Sequence, residues 1–215
     1  MHWIKQIGVE NNFLNLSKVE EILAFTSDQP LVADSFKTYQ NIDIDIGHFK
    51  KTKKLPKKIN SILLEIDLKI QEFFRSNNCA QAQSGYSLEP TLMTIEQTIT
   101  SRPYKTDFSK LFSSSQDLGE PREAGNLGYK PRSGTEWLES FDGGFLNNFK
   151  FKASIFLNED FLGGHTSFPI QKCDVEPKVG KLLLHPFSRD YVYAVRRVKN
   201  GARFALNLNY ELIKK

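Results

Sequence analysis

The stretch Ala153-Ser154-Ile155-Phe156-Leu157-Asn158-Glu159-Asp160-Phe161-Leu162-Gly163-Gly164-His165-Thr166-Ser167-Phe168 reads as strand, turn and strand. An apolar run over 150–157 is broken by Asn, Asp and paired glycines, and an extended pattern restarts at 165–168. Working outward, the same rhythm continues on both sides. Further short strands are expected at 135–141, 181–185, 191–198 and 203–212. The punctuation between them is Asp142-Gly143-Gly144, Pro177 with Gly180, and Asn200-Gly201. Asn-Gly between two apolar runs predicts a tight turn, because both residues tolerate positive φ. Upstream, Leu92, Thr94, Glu96, Thr98 and Thr100 alternate with Met93, Ile95, Gln97 and Ile99, which predicts another strand. A long polar stretch, 109–133, carries Gly119, Pro121, Gly125 and Gly128. Loops of that length in compact domains are usually lids, binding loops or disordered.

The first third reads differently. Ser17-Lys18-Val19-Glu20 has capping-box spacing and predicts a helix start. A second helix is expected from Pro56, followed by the apolar stripe Ile59, Ile62, Leu63, Ile66, Ile70, Phe73 and Phe74. Helices followed by many short strands predict an α+β chain with an antiparallel sandwich or barrel. With 215 residues, one domain with a sizeable core is expected over 1–215, mainly helical support in 1–85 and a β core in 86–215.

Composition excludes several classes. No apolar run approaches 18 residues, so no membrane span is expected, and Met1-His2-Trp3-Ile4-Lys5 lacks the pattern of a secretory leader. Two distant cysteines, Cys79 and Cys173, imply no disulfide framework, and a reducing, cytoplasmic setting is the expectation. The charge of +4 is mild and concentrated in Lys50, Lys51, Lys53, Lys54, Lys57 and Lys58. That run reads as a solvated face. No aromatic-interleaved basic stripe accompanies it, so nucleic acid is not favoured as a partner.

Four segments, in order, resemble one family. Gly134-Thr135-Glu136-Trp137-Leu138-Glu139-Ser140-Phe141-Asp142 resembles the strand of hypoxia-sensing prolyl hydroxylases that carries a His-x-Asp metal motif. The 153–168 stretch is similar to the family's apolar strand, Leu-Asn, acidic turn and Gly-Gly-x-x-x-Phe. Val175-Glu176-Pro177-Lys178-Val179-Gly180-Lys181-Leu182 resembles its Pro-x-x-Gly-x-Leu segment, and Tyr193 to Arg203 resembles its closing hairpin. The resemblance implies a double-stranded β-helix, or jelly-roll, with N-terminal supporting helices.

The resemblance also implies a site. These enzymes hold Fe(II) with two histidines and one carboxylate, leaving positions open for 2-oxoglutarate and O₂. The carboxylate would be Asp142, and the cation for the co-substrate's distal carboxylate would be Arg203. The histidine positions hold Ser140 and Tyr193. A serine hydroxyl is a poor Fe(II) ligand, and a phenolate favours Fe(III). Phe156 stands where the family has a co-substrate tyrosine. A second register, at Pro103-Tyr104-Lys105-Thr106-Asp107-Phe108, resembles collagen 3-prolyl hydroxylases with Lys105 in the histidine position, at a poorer spacing to Leu157-Asn158. His2 and His48 read as surface or capping residues, and His165 as a polar residue at a sheet edge. His185, before Pro186, reads as a structural histidine bonded to backbone. Arg196 and Arg197 read as solvated. Glu136 and Glu139, three apart on a strand, face opposite ways and form no acid–base pair.

The expected protein is therefore a prolyl-hydroxylase-like jelly-roll without the iron-binding histidines. It would serve as a non-catalytic module with a protein or peptide partner and no cofactor. The other expectation is an active dioxygenase with an altered metal site, using Fe(II) and 2-oxoglutarate.

Overall fold

The computed structural model describes residues 2–4, 6–27, 32–33, 39–44, 55–76, 85–99, 137–139, 151–168, 171–186, 191, 193–196 and 198–214. In chain order the elements are β1 (His2–Ile4), β2 (Ile7–Glu10), α1 (Leu16–Ser27), β3 (Val32–Ala33), β4 (Tyr39–Ile44), α2 (Lys57–Ser76) and β5 (Tyr86–Ile99). Then follow β6 (Trp137–Glu139), β7 (Phe151–Phe156), β8 (Leu162–Gly163), β9 (Thr166–Phe168), β10 (Cys173–Val175), β11 (Leu182–Pro186), β12 (Ala194–Arg196), β13 (Val198–Lys199) and β14 (Ala202–Lys214).

Two sheets face each other. The larger has eight strands in the order β1-β2-β11-β7-β14-β5-β4-β3, and the smaller has four in the order β10-β9-β12-β6. β8 and β13 form a separate pair. All pairings are antiparallel, and neighbours in space come from distant parts of the chain. This is the expected α+β jelly-roll.

The large sheet is covered on one side by α1 and α2. Period-2 alternation sends Phe151, Ala153 and Ile155 of β7 to the helices, with Leu182, Leu184, Leu206, Leu208 and Tyr210 from neighbouring strands. They meet the α2 stripe, whose seven expected residues are all buried. Each fully buried aliphatic or aromatic side chain stabilises by roughly 1.5–3 kcal/mol, so this layer is the main source of stability. On the other face Ile7, Phe156, Leu183 and Ala205 meet Phe168, Cys173, Val175 and Tyr193. That second cluster lies between the sheets, where the functional site is expected.

Some local expectations need correction. The cap of α1 is Asn15, two residues before the expected Ser17: its Oδ1 accepts the Lys18 amide at 3.0 Å. An asparagine in that place satisfies an end donor that has no partner within the helix. The first 85 residues also supply β1 to β4 to the large sheet, besides the two helices. The Asn200-Gly201 turn is present with φ of 53° and 145°, and the strand preceding it, β13, pairs with β8. The loop 109–133, the turn at 142–144, the Lys105 register, Cys79, His48 and Arg197 lie outside the described residues.

Candidate functional site

The inner face of the large sheet is polar for a protein interior. Alternation turns Lys152 and Ser154 of β7, His185 of β11, Arg203 and Asn207 of β14, and Glu96 and Thr98 of β5 away from the helices. All seven are buried. Charges are tolerated in such a place only when paired and hydrogen-bonded, and the side chains sort into two groups.

The first group is built around Tyr193. The Lys152 Nζ donates to its hydroxyl at 2.7 Å and lies 5.2 Å from the centre of its ring. The His185 ring packs edge-on against Tyr193 at 4.8 Å and against Phe168 at 4.9 Å. Strand register explains the meeting, since His185 lies directly opposite Lys152. The Pro186 carbonyl accepts a bond from His185 Nδ1 at 2.7 Å, so that nitrogen carries the proton, as the expected structural role requires. Nε2 is buried without a hydrogen-bond partner among the described residues. Burial, opposed by the bond to Pro186 and helped by the nearby Lys152 charge, lowers the His185 pKa to about 3, so the ring is neutral.

The second group is built around Arg203. Its Nη1 donates to Glu96 Oε1 and its Nη2 to Thr166 Oγ1, at 3.2 and 3.4 Å. The guanidinium carbon lies 5.0 Å from the Phe156 ring centre. Glu96 also accepts from Thr98 Oγ1 and from Asn207 Nδ2, each at 3.2 Å. Ser154 Oγ donates to Asn207 Oδ1 at 2.6 Å, which turns the amide so that its NH₂ faces the carboxylate.

Of the residues expected in the site, Tyr193 and Arg203 are both buried inside the barrel, while Ser140 and Asp142 lie outside the described residues. His165 is half-buried at the rim. Its carbonyl accepts the Arg196 amide at 2.8 Å. Its side chain helps line a surface cleft of about 440 Å³ with Glu159, Phe161, Leu162, Glu176, Pro177 and Lys178. Arg196 is partly exposed, as expected, and is also paired, with Asp174 and with Ser167 Oγ, the latter at 2.8 Å. Sequence reasoning passed over Lys152, Glu96 and Asn207. Polar residues alternating with apolar ones ordinarily mark the wet face of a strand. Here the second sheet covers that face, and the only signal was a charge recurring on it.

The donors described here do not fit a ferrous ion. Tyr193 offers a phenol whose oxygen already accepts from an ammonium, and that charge would repel a dication. Among the described residues no group of three His, Cys, Asp or Glu side chains is arranged to hold a metal.

No family model matches the sequence, and no curated protein matches it. Solved structures do. The chain is similar to a truncated viral collagen prolyl hydroxylase from Paramecium bursaria Chlorella virus-1, with TM-score 0.60 and 14% identity over 98% of this chain and 91% of that one. It is similar to an oxidoreductase of the 2OG-Fe(II) oxygenase family from Burkholderia pseudomallei, with TM-score 0.60 and 13% identity over 96% and 84%. A Pseudomonas putida prolyl-4-hydroxylase gives TM-score 0.55 and 14% identity over 98% and 93%. The chain therefore has the jelly-roll fold of the 2-oxoglutarate/Fe(II) oxygenase superfamily. Two of these three structures of like fold are prolyl hydroxylases. At such identities the likeness is one of fold, and activity is decided in the site.

Proposed function

We propose that this chain is a non-catalytic member of the prolyl-hydroxylase-like fold that acts as a binding module for a protein or peptide. The observation that carries the reading is the Lys152–Tyr193 pair. Tyr193 stands where the resemblance puts a metal-binding histidine, and an ammonium is bonded to its oxygen. In this reading the interior needs no cofactor, and Ser140 and Asp142 are remnants of a metal site. The cleft lined by Phe161, Leu162 and Pro177, with Leu162 59% exposed, supports a peptide-sized partner. A single domain, in keeping with 215 residues, and a cytoplasmic location, in keeping with two cysteines far apart in sequence, belong to the same reading. Among the described residues no helix is long and apolar enough to cross a membrane.

The test is a titration of the whole chain with Mn(II), or Fe(II) under anaerobic conditions. No saturable binding below millimolar metal is expected. Stoichiometric binding at micromolar affinity would sink the proposal. A second reading, an active hydroxylase with an altered site, is favoured by the burial of Arg203 inside the barrel and the retention of Asp142 in the sequence. It predicts succinate formation from 2-oxoglutarate that requires Fe(II). A rate equal to the protein-free control, with the fold intact, removes it.

A further inference from the structure

We infer that Glu96 is a tethered occupant of an anion seat formed by Arg203, Asn207 and Thr98. The inference rests on the non-catalytic reading and deepens it: a seat filled from within would be closed to free carboxylates.

Three donors from two strands converge on one carboxylate. Thr98 Oγ1 and Arg203 Nη1 reach Oε1, and Asn207 Nδ2 reaches Oε2, each at 3.2 Å. The seat is pre-oriented by groups other than Glu96. Ser154 fixes the Asn207 amide, and Phe156 and Thr166 hold the guanidinium. Yet Glu96 meets Arg203 end-on, through one nitrogen. Nε is buried and has no hydrogen-bond partner among the described residues. A guanidinium donates two parallel bonds to a carboxylate that can approach its edge. The carboxylate tied to the neighbouring strand contacts only Nη1, whereas a free one would carry no tether. The seat is thus more general than its occupant, and tethering decides the occupancy: an attached group competes at an effective concentration on the order of millimolar or higher.

Removing the tethered group should expose the seat to solutes. Glu96→Ala deletes a fragment the size of acetate. This variant should be less stable than the wild type and should be rescued by 100 mM acetate. The expected gain in Tm is on the order of 3 °C beyond that given by NaCl of matched ionic strength. The wild type should show no such difference, because its seat is filled. Glu96→Gln, which keeps the seat occupied by a neutral amide, should also show none. Glu96→Ala combined with Arg203→Met should lose the rescue.

Two results overturn the inference: equal carboxylate effects on wild type and Glu96→Ala, or no rescue of a Glu96→Ala protein that folds. Should Glu96→Ala not fold in NaCl, recovery of folded protein on refolding into acetate supports the inference, and failure to recover it there overturns it. None of these readouts involves turnover. Absence of rescue in a non-catalytic protein would overturn this inference alone, whereas metal binding or turnover together with rescue of Glu96→Ala would overturn the non-catalytic reading alone.

Discussion

Acid should weaken this protein through a single imidazole. His185 is 1% exposed, its Nδ1–H is bonded to the Pro186 carbonyl, and Lys152 lies directly across from it in the sheet. The folded-state pKa is about 3, against an ordinary value of 6.5. Between those two values the unfolded chain binds a proton that the folded chain refuses, so stability falls as pH drops from about 6.5 towards 3. Each unit of the window is worth about 1.36 kcal/mol. From pH 7 to pH 5 the loss through this group is therefore about 2 kcal/mol, and at pH 3 roughly 5 kcal/mol is the ceiling. The perturbation is His185→Gln, whose amide can still donate to the carbonyl and does not titrate. Urea unfolding of both proteins, followed by tryptophan fluorescence at pH 7 and pH 5, isolates the effect, because titrations of other groups are common to both. The wild type should lose about 2 kcal/mol more than the variant over that interval. Equal losses, within about 0.5 kcal/mol, would show that the ring titrates normally and that the packing against Tyr193 and Phe168 is looser than described.

Other outcomes follow from local geometry. Gly180 has φ of 73°, and a Cβ there would lie 2.2 Å from the Leu14 carbonyl oxygen. Gly180→Ala should therefore cost at least about 2 kcal/mol in urea unfolding, because backbone would have to move. Asn15→Ala should cost about 1 kcal/mol, measured the same way, through the lost cap on Lys18. The buried Tyr210 hydroxyl donates to Asp67 at 3.0 Å and partly offsets the upward pull of burial on that carboxyl. Tyr210→Phe should raise the Asp67 pKa further, seen in a carboxyl-carbon NMR titration, and destabilise the fold at pH 7 by about 1.5–3 kcal/mol. Because a raised carboxyl pKa favours the protonated folded form, that deficit should shrink as the pH falls through the folded-state value.

Much of the architecture was legible because its causes are local. The α2 stripe was read residue for residue, since a 3.6-residue period leaves one solution for which face is buried. β7, β9, β11 and β14 all fall within two residues of expectation. β1 to β4 were not legible. His2–Ile4 is three residues long, and Tyr39–Ile44 carries Asn and Asp, which strands disfavour. They are strands because a sheet edge recruits them. The cap at Asn15 was missed for a similar reason: Ser17 fits the motif equally well, and only the place where the backbone first turns selects between them.

The chain's own residues settled the strand rhythm, the helix faces and the absence of histidine from positions 140 and 193. Each depends on residues within a few places of one another. Which charges meet inside the barrel was settled elsewhere. Lys152 and Tyr193 are 41 residues apart, and Glu96 and Arg203 are 107 apart. Their contact depends on strand register and on a second sheet shutting water out. A lysine or glutamate on an alternating strand looks solvated until that cover is known, and once covered it must find a partner of opposite charge or a hydrogen bond.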